Sequence, residues 1–460
     1  MGAALAPLPD GTAELRLQVT EGFVAEITTE GEIGPARAQA MRFLDRLVGQ
    51  RPLSGAALER ALLLASDIPG VTARGLLRPV AGEPGALRLV VRLERRAASG
   101  FANLDNRGYA LTGAWQALLV GQLNALTSLG ERSEVALLQT DGNGQGFIQA
   151  SEELFIGGSG LRLRAYVGAG RAAPGSPLAA IGYAGETQVA GLALAYPVIR
   201  SRPLNLTLNG QFDAFESVVE ARLGPGQARE RQSRDAVRAL RLGAEGAFQD
   251  AWLGFVPAAA ATSGLVRLHQ GISALGASDG EGVARQGSEF GFNKLTAEAT
   301  RTQPVLATRE GWLVSVQATL AGQWSDDVLP PAEKFYLGGN RLGRGFYAGQ
   351  VTGDRALAAS LELQAGRGFG IAMPDGWPGG AELRLGTQFY LFRDEGRAWD
   401  NGPVGLDRSL ASWGGGVRLQ FDEKVQLDLE AVRRLTRNPE GAGVAKLDED
   451  ALFARVLVRF

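Results

Sequence analysis

The run from Leu337 to Leu363, LGGNRLGRGFYAGQVTGDRALAASLEL, joins a glycine-rich loop directly to an alternating segment. The loop part carries Gly343-Arg344-Gly345-Phe346 and ends at Gly353-Asp354. In the segment that follows, apolar residues at every second position alternate with smaller or polar ones; the apolar set is Leu357, Ala359, Leu361 and Leu363. A period of two is typical of a β-strand with one apolar and one polar face. A long loop that carries an arginine therefore leads straight into a two-faced strand.

The same alternation recurs from residue 97 to the end of the chain, in segments of about 9–14 residues separated by turn clusters. The segments start near residues 97, 111, 132, 147, 161, 185, 203, 233, 253, 289, 311, 355, 380, 411, 424 and 450. Sixteen is an even number, as a closed antiparallel barrel in a membrane prefers. A soluble β-sandwich would have shorter strands, and no blade-like repeat indicates a propeller. The pattern predicts a mainly β chain whose residues 97–460 form a sixteen-stranded transmembrane barrel.

Residues 15–96 have a different pattern, which predicts a small α/β module after an N-terminal tail of residues 1–14. Its order is strand, helix, helix, strand, strand. Pro35 precedes the first helix and Ser54 can cap the second, positions that both residue types favour. The predicted elements are a strand at Leu15–Val19 continuing through Phe23–Thr29, helices at Ala36–Val48 and Gly55–Ser66, and strands at Val71–Val80 and Leu87–Leu93.

Composition narrows the possible functions of the 460 residues. Charge is balanced, with 47 Lys and Arg against 49 Asp and Glu, so nucleic acid is not an expected partner. The chain has no cysteine and one histidine, His269, which disfavours thiolate metal sites and histidine-based catalysis. We expect His269 to be solvated or to face the barrel lumen. We expect no enzyme activity, no cofactor and no metal.

The ends of the chain and its apolar runs bear on targeting. No run approaches the roughly 18–20 apolar residues of a transmembrane helix. Met1–Asp10 lacks a basic region followed by an apolar core, so a signal peptide is not indicated there. We therefore expect either a cytoplasmic chain or a mature or truncated one, and the barrel pattern favours the second.

Two glycine-rich clusters have alternative interpretations. Asp141-Gly142-Asn143-Gly144-Gln145-Gly146, with Glu152 beyond it, approaches the spacing of a calcium loop. The interpretation we favour is a hairpin turn, since glycine and asparagine supply the positive φ that tight turns need and no flanking helices are evident. Gly157-Gly158-Ser159-Gly160 lacks the strand-then-helix context of a phosphate site and is also expected to be a turn.

An arginine inside a barrel needs a partner, because an unpaired charge in a poorly solvated lumen is costly. Asp394, in Phe392-x-Asp394-x-Gly396, follows a strongly alternating strand that ends near Leu391. A carboxylate at a lumen-facing strand end can pair with a guanidinium through two hydrogen bonds. On chemistry alone, Asp394 is one of several possible partners for Arg344.

Gly343-Arg344-Gly345-Phe346 resembles the (V/I/L)RG(F/Y) tip of the sixth extracellular loop in the POTRA-plus-barrel superfamily of outer-membrane translocators and assembly factors. Phe392-x-Asp394-x-Gly396 is similar to the strand motif of that superfamily. The resemblance implies that the loop over residues 324–354 folds into the lumen and that Arg344 meets Asp394. It also implies that the module over residues 15–96 is a POTRA domain.

Further motifs are similar to those of one branch, the two-partner secretion transporters of the haemolysin secretion/activation type (TpsB). They are Leu104-Asp105-Asn106-x-Gly108-x-x-x-Thr112-Gly113, Gly353-Asp354 followed by Ser360-Leu361-Glu362-Leu363, and Ser412-x-Gly414-x-Gly416. This chain departs from the family in having Gly343 at the first tip position, and room for one POTRA domain and no plug helix. We therefore expect either a shortened chain or a minimal transporter.

The resemblance implies an outer-membrane translocator that exports an adhesin- or haemolysin-like partner protein. The POTRA domain would capture the unfolded partner in the periplasm, and the lumen would conduct it outward. Other implied partners are outer-membrane lipid and the barrel assembly machinery, which reads a terminal strand such as the one ending in Val456, Val458 and Phe460. The alternatives are an assembly or insertion factor of the same superfamily, which would open its seam laterally, and a passive porin.

Overall fold

The computed structural model describes residues 2–7, 13–109, 111–222, 224, 226–374, 382–402, 405–441 and 444–460, and only the backbone of residues 2–7 and 13–18. Two strands, β1 (Gly2–Pro7) and β2 (Ala13–Gln18), form a hairpin by themselves. The strand predicted at Leu15–Val19 therefore pairs with a strand of the expected tail and does not join the sheet of the module. Met1 and residues 8–12 of that tail lie outside the described part of the chain.

The following unit has a three-stranded sheet covered by two helices. Its elements are β3 (Phe23–Glu30), α1 (Ala36–Leu44), α2 (Gly55–Ser66), β4 (Val71–Pro79) and β5 (Ala86–Arg95). The sheet order is β3-β5-β4, with β3 parallel and β4 antiparallel to the central β5. This is the order of elements that the residue pattern predicts after Phe23.

The helices of this unit form where capping and apolar spacing favour them. The Ser54 hydroxyl accepts a hydrogen bond from the Ala57 N–H at 3.0 Å and so caps α2. Phe43 of α1 and Leu64 of α2 pack with Leu89 of β5 in one buried cluster. The first helix is shorter than predicted: α1 ends at Leu44, and a single 3-10 turn continues it over Asp45–Leu47.

Sixteen antiparallel strands close into one barrel, which confirms the predicted strand number. They are β6 (Ala98–Asp105), β7 (Gln116–Asn124), β8 (Arg132–Thr140), β9 (Gln145–Ile156), β10 (Leu161–Ala172), β11 (Ala184–Arg200), β12 (Leu204–Ala221), β13 (Glu230–Asp250), β14 (Ala260–Gly271), β15 (Asn293–Ala307), β16 (Leu313–Trp324), β19 (Arg355–Ala372), β20 (Glu382–Trp399), β21 (Arg408–Phe421), β22 (Val425–Arg434) and β23 (Asp450–Arg459). Two short strands lie inside the loop after β16: β17 (Phe335–Leu337) and β18 (Val351–Gly353). Pairing of β23 with β6 closes the barrel.

Two strand starts differ most from the prediction. The strand expected near residue 253 begins at Ala260, because Trp252, Leu253 and Phe255 belong to an apolar turn and not to the strand. The strand expected near residue 111 begins at Gln116. In that case Gly113 has a φ of +125°, a conformation that breaks an extended run.

The two faces of the barrel wall follow the alternation in the sequence. Large apolar side chains on the outside are about half exposed; examples are Leu192, Leu208, Leu242, Leu320 and Leu391. Polar side chains at the intervening positions face the lumen, as expected for a barrel whose outer wall meets lipid. Within the described ranges, no helix is both long and apolar enough to span a bilayer.

The α/β unit packs against one end of the barrel, here called the turn end, where Ala98 and Phe460 lie. Phe43 of α1 meets Phe155 of β9 edge to face, with ring centroids 5.2 Å apart. Arg200, at the end of β11, donates to both carboxylate oxygens of Asp67 at 2.9 and 2.6 Å. The opposite end, called the loop end, carries the loop over residues 325–354.

A charge on the apolar outer wall tests whether that wall meets lipid. Leu208→Arg should destabilise the folded barrel in lipid vesicles by about 2–4 kcal/mol, the cost of an arginine near the bilayer midplane. The matched control is Thr207→Arg, one residue away and facing the lumen, which should change stability little. Denaturant unfolding in vesicles measures both, and equal effects would contradict a lipid-facing Leu208.

Candidate functional site

The loop over residues 325–354 connects β16 to β19, the eleventh and twelfth barrel strands, as predicted. Within it, β17 and β18 pair as a hairpin. Its apolar side chains are buried against the barrel wall; the cluster contains Leu337, Leu342, Phe346 and Val351 with wall residues Ala356, Ala358, Ala398 and Leu410. The loop thus packs inside the barrel and has an apolar core of its own.

The tip of this loop places Arg344 among carboxylates of the barrel wall. The guanidinium donates to both oxygens of Asp394 on β20, at 3.0 and 2.9 Å. It also donates to Glu362 on β19 and, at 3.0 Å, to the Ser360 hydroxyl. Arg344 is 5% exposed and Asp394 is fully buried. The structure therefore brings together the two residues whose pairing was one option among several on chemical grounds.

Burial disfavours the charged form of Arg344, but its two carboxylate partners outweigh this cost. Hydrogen bonds and charge from Asp394 and Glu362 raise the pKa of Arg344 above its ordinary value. Arg418 on β21 supplies a second positive charge, donating to Glu362 at 2.6 and 3.1 Å. Two cations and two anions thus balance within the cluster, as buried charges require.

The two arginines of this cluster each stack on an aromatic ring of the barrel wall. The guanidinium of Arg344 lies 3.5 Å from the ring centre of Phe392, and that of Arg418 lies 3.8 Å from the ring centre of Tyr390. The rings lie over Gly414 and Gly416 of β21, the residues paired with Phe392 and Tyr390. A Cβ on Gly414 would come within 2.9 Å of the Phe392 ring, so the wall needs glycine beneath the aromatic rings.

The main chain of the tip is held as closely as its side chain. The N–H groups of Gly343 and Arg344 donate to Asp394 at 3.2 and 2.8 Å, and the Gly345 N–H donates to the Ser412 hydroxyl at 3.3 Å. The carbonyl of Arg344 accepts from Arg107 at 2.5 Å, and the carbonyl of Gly345 accepts from Arg434. The tip is thus bonded to β19, β20, β21 and β22 and to Arg107, which lies two residues after the end of β6.

Glycine is required at two tip positions for different reasons. Gly343 has a φ of +87°, and a Cβ there would lie 2.8 Å from Leu410. At Gly345 a Cβ would meet the Cβ of Ser412 at 2.8 Å. This explains the departure from the family pattern: Gly343 provides the turn, and Leu342 beside it provides the buried apolar side chain.

The base of the loop is bonded to the opposite part of the wall. Glu333 accepts two hydrogen bonds from Arg241 of β13, at 3.1 and 2.8 Å, and pairs with Lys294 of β15 at 2.7 Å. Burial alone would raise the pKa of Glu333, but these two cations lower it to about 2. His269 of β14 lies in the same network, near Arg241 and Thr296, and is 6% exposed. Its predicted lumen-facing position is correct, whereas it is not solvated.

A third anchor ties the end of the loop to a neighbouring loop. Fully buried Asp354 accepts two hydrogen bonds from Arg285, at 2.6 and 2.8 Å, in the loop between β14 and β15. It also accepts from the N–H groups of Leu329 and Asn401, at 3.0 and 2.7 Å. Burial opposes ionisation, yet these donors lower the pKa of Asp354. Three loops, those that follow β14, β16 and β20, therefore meet at one carboxylate.

The remaining predicted site residues fall in two places. Phe346 is buried in the loop core, and Gly396 lies where a Cβ would be 3.0 Å from Leu337. Val456, Val458 and Phe460 lie on the outside of the closing strand, and they are not part of the lumen site. Reasoning from the sequence missed the roles of Arg107, Arg434 and Arg285. The only sign of these roles in the sequence is a positive charge within or next to a segment of alternating apolar and polar residues.

The two glycine clusters are turns. Asp141–Asn143 forms a 3-10 turn in the hairpin between β8 and β9, and Glu152 lies inside β9. Gly157–Gly160 joins β9 to β10, and its carbonyls accept from the α/β unit: Gln39 donates to Gly157 at 2.8 Å and Arg46 to Gly158 at 2.9 Å.

Comparison with known proteins gives one family match. A family model described as haemolysin secretion/activation protein ShlB/FhaC/HecB matches residues 252–419. This segment includes the whole loop, the Arg344–Asp394 pair and Glu362. It confirms the resemblance to two-partner secretion transporters that the motifs indicate. No curated protein matches the chain by sequence.

Solved structures share the fold of the whole chain. CdiB from Escherichia coli aligns with 100% of this chain and 80% of its own, at a TM-score of 0.75 and 17% identity. CdiB from Acinetobacter baumannii gives a TM-score of 0.69 at 18% identity, covering 100% and 78%. A BamA from Haemophilus ducreyi lacking POTRA domains 1–3 gives 0.56 at 14% identity, covering 100% and 90%. At these identities the likeness concerns the fold.

Neutralising Asp394 should free the loop tip from its seat. Asp394→Asn leaves Arg344 buried with a weaker partner, so protection of residues 338–350 against hydrogen exchange should fall by about 3–5 kcal/mol. The control is Asp407→Asn, which removes an exposed ion pair with Arg397 and should cost about 0–1 kcal/mol. Unchanged exchange at the tip in Asp394→Asn would show that the pair does not hold the loop.

Proposed function

We propose that this chain, whose residues 252–419 match the family of haemolysin secretion and activation proteins, is an outer-membrane translocator for a secreted partner protein. The observation that carries the proposal is the loop tip bonded inside a closed sixteen-stranded barrel through Arg344 and Asp394. A passive pore has no need for a loop held by three separate groups of charges. Export would involve no covalent chemistry.

The lumen retains polar space beside the loop. A cavity of about 420 Å³ lies along β12 to β15, and Arg341 of the loop borders it. Its other lining side chains include Arg162, Thr207, Asn209, Glu245 and Glu298. Polar groups of both signs can exchange hydrogen bonds with a peptide backbone without binding one sequence tightly. This cavity supports a conducting path along the wall opposite the loop tip.

The α/β unit fits a POTRA domain that captures the unfolded partner in the periplasm. In this proposal the turn end of the barrel faces the periplasm, and the partner adds a strand to the sheet edge formed by β4. The N–H of Ala73 points away from β5, because it donates to the Ser66 hydroxyl at 3.2 Å. By alternation, Gly75 and Leu77 present their backbone groups at the same edge. Pro79 ends this edge without an N–H.

Arg344→Ala should abolish secretion of the partner while the barrel still inserts. Loss of the guanidinium leaves Asp394 and Glu362 buried without their shared cation, so the tip cannot keep its seat. Asp326→Ala is the control in the same loop, since the Asp326 side chain is 77% exposed and pairs with Arg355. Secreted partner is measured against membrane-inserted, heat-modifiable barrel. Normal secretion by Arg344→Ala would refute a role for the seated tip.

Leu77→Pro should reduce partner binding by removing one free N–H from the β4 edge. Each lost backbone hydrogen bond weakens strand addition by about 0.5–1.5 kcal/mol, or up to about tenfold in affinity. Leu77→Ala keeps the N–H and loses comparable side-chain packing, so it controls for the altered core. Binding of an unfolded partner segment to the purified protein measures both. Equal losses in the two variants would exclude capture at this edge.

A further inference from the structure

The seam where β23 meets β6 has the shortest ladder of the barrel. Its register covers five residue pairs, Phe101–Asp105 with Arg455–Arg459. By comparison, β22 and β23 are paired over nine residues, and β6 and β7 over eight. At the turn end, Gly100 and Phe460 add two backbone hydrogen bonds at 2.9 and 3.0 Å. At the loop end, residues 450–454 of β23 extend beyond the last ladder pair with β6.

Side chains close the loop end of the seam where the ladder stops. The Asn106 side chain donates to the Leu452 carbonyl at 3.0 Å and accepts from the Ala454 N–H at 2.8 Å. The next residue, Arg107, donates to Glu430 of β22 and lies 3.9 Å from the ring centre of Phe453. Both residues belong to the β6 side and reach across the seam.

Arg107 differs from Asn106 because it also contacts the loop tip. One of its terminal nitrogens donates to the carbonyl of Arg344 at 2.5 Å, while the other donates to Glu430. Its side chain is 10% exposed and that of Glu430 is 5% exposed. Glu430 accepts a further hydrogen bond from the Tyr390 hydroxyl at 2.8 Å, and Asp105 accepts the Arg107 N–H at 3.0 Å. A buried arginine that follows β6 therefore joins β22 and β23, across the seam, to the loop tip.

We propose that Arg107 is a positioning residue that couples the seat of the loop tip to the closure of the seam. A tip that leaves its seat removes one acceptor from Arg107, and the remaining contact with Glu430 is less constrained. Movement of the loop then loosens the seam at its loop end. By linkage, an open seam also weakens the hold on the tip. The inference rests on the proposed function for its purpose, since it describes how a translocator's barrel would respond to loop movement.

Three variants separate the two halves of this coupling. Arg107→Gln should speed hydrogen exchange both at the seam, residues 101–106 and 453–459, and at the tip, residues 338–350. Arg434 is a buried arginine of β22 that donates to the carbonyl of Gly345, the residue after Arg344, and it does not cross the seam. The main effect of Arg434→Gln on hydrogen exchange should therefore be at the tip. Asn106→Ala removes two cross-seam hydrogen bonds and should act mainly at the seam. Each main effect should be about tenfold, as for one or two lost hydrogen bonds.

Exchange is measured on the purified full chain in lipid after heat-modifiability shows that each barrel is folded. An effect of Arg107→Gln confined to one region, or a profile equal to that of Arg434→Gln, would overturn the coupling. If Arg107→Gln does not fold, Arg107→Lys replaces it. The lysine keeps the charge but cannot reach both acceptors, so both regions should again exchange faster, and faster exchange in only one of them refutes the proposal. None of these readouts uses secretion, so failure here is distinguishable from failure of the translocator proposal.

Discussion

A charged side chain enclosed by protein must be neutralised and hydrogen-bonded, and this constraint organises the interior of the barrel. Arg344 meets it with Asp394 and Glu362, and Arg418 balances the second carboxylate. The cluster sets the positions of four neighbouring strands, because its members come from β19, β20 and β21 and the loop tip bonds onward to β22. The aromatic rings of Phe392 and Tyr390 lie beneath the two arginines, which is why β21 has glycine at positions 414 and 416. Charge pairing thus dictates the local side-chain sizes as well.

The loop acts as a brace: it crosses the lumen and is bonded to the surrounding protein at three places along its length. Its base is bonded to β13 and β15 through Glu333, and its end to a neighbouring loop through Asp354. Its tip is bonded to β19 and β20 through Arg344 and to β21 and β22 through the main chain of Gly345. Between these anchors, the cluster around Leu337, Phe346 and Val351 gives the loop its own apolar core. A brace with three separable anchors can release one and keep the others. In the proposed translocator, such a partial release would let a chain pass while the fold is kept.

The two ends of the barrel are built differently, and the difference fits a directional device. At the turn end, short connections form a surface on which the α/β unit packs through Phe43, Gln39 and Asp67. At the loop end, long connections are held together by buried ion pairs. The first barrel strand, β6, joins the two ends. It starts next to the α/β unit at Ala98 and ends at Asp105, two residues before Arg107, which contacts the loop tip. Events at either end can therefore act on the same strand.

The sequence alone determined the number of barrel strands, the two faces of each strand and the position of the long loop. It could do so because a period of two is a local property that every strand shows by itself. Resemblance to a family singled out Asp394 among the possible partners of Arg344. Neither the strand pattern nor the family motifs could pair Arg107 with Glu430, which lies 323 residues away. Their contact exists only once β23 pairs with β6 and closes the barrel. Arg285, Arg434 and the packing of Phe43 on Phe155 are likewise contacts between distant segments. Closure of the barrel decides them, because it sets the register of each strand against the loops and units that it encloses.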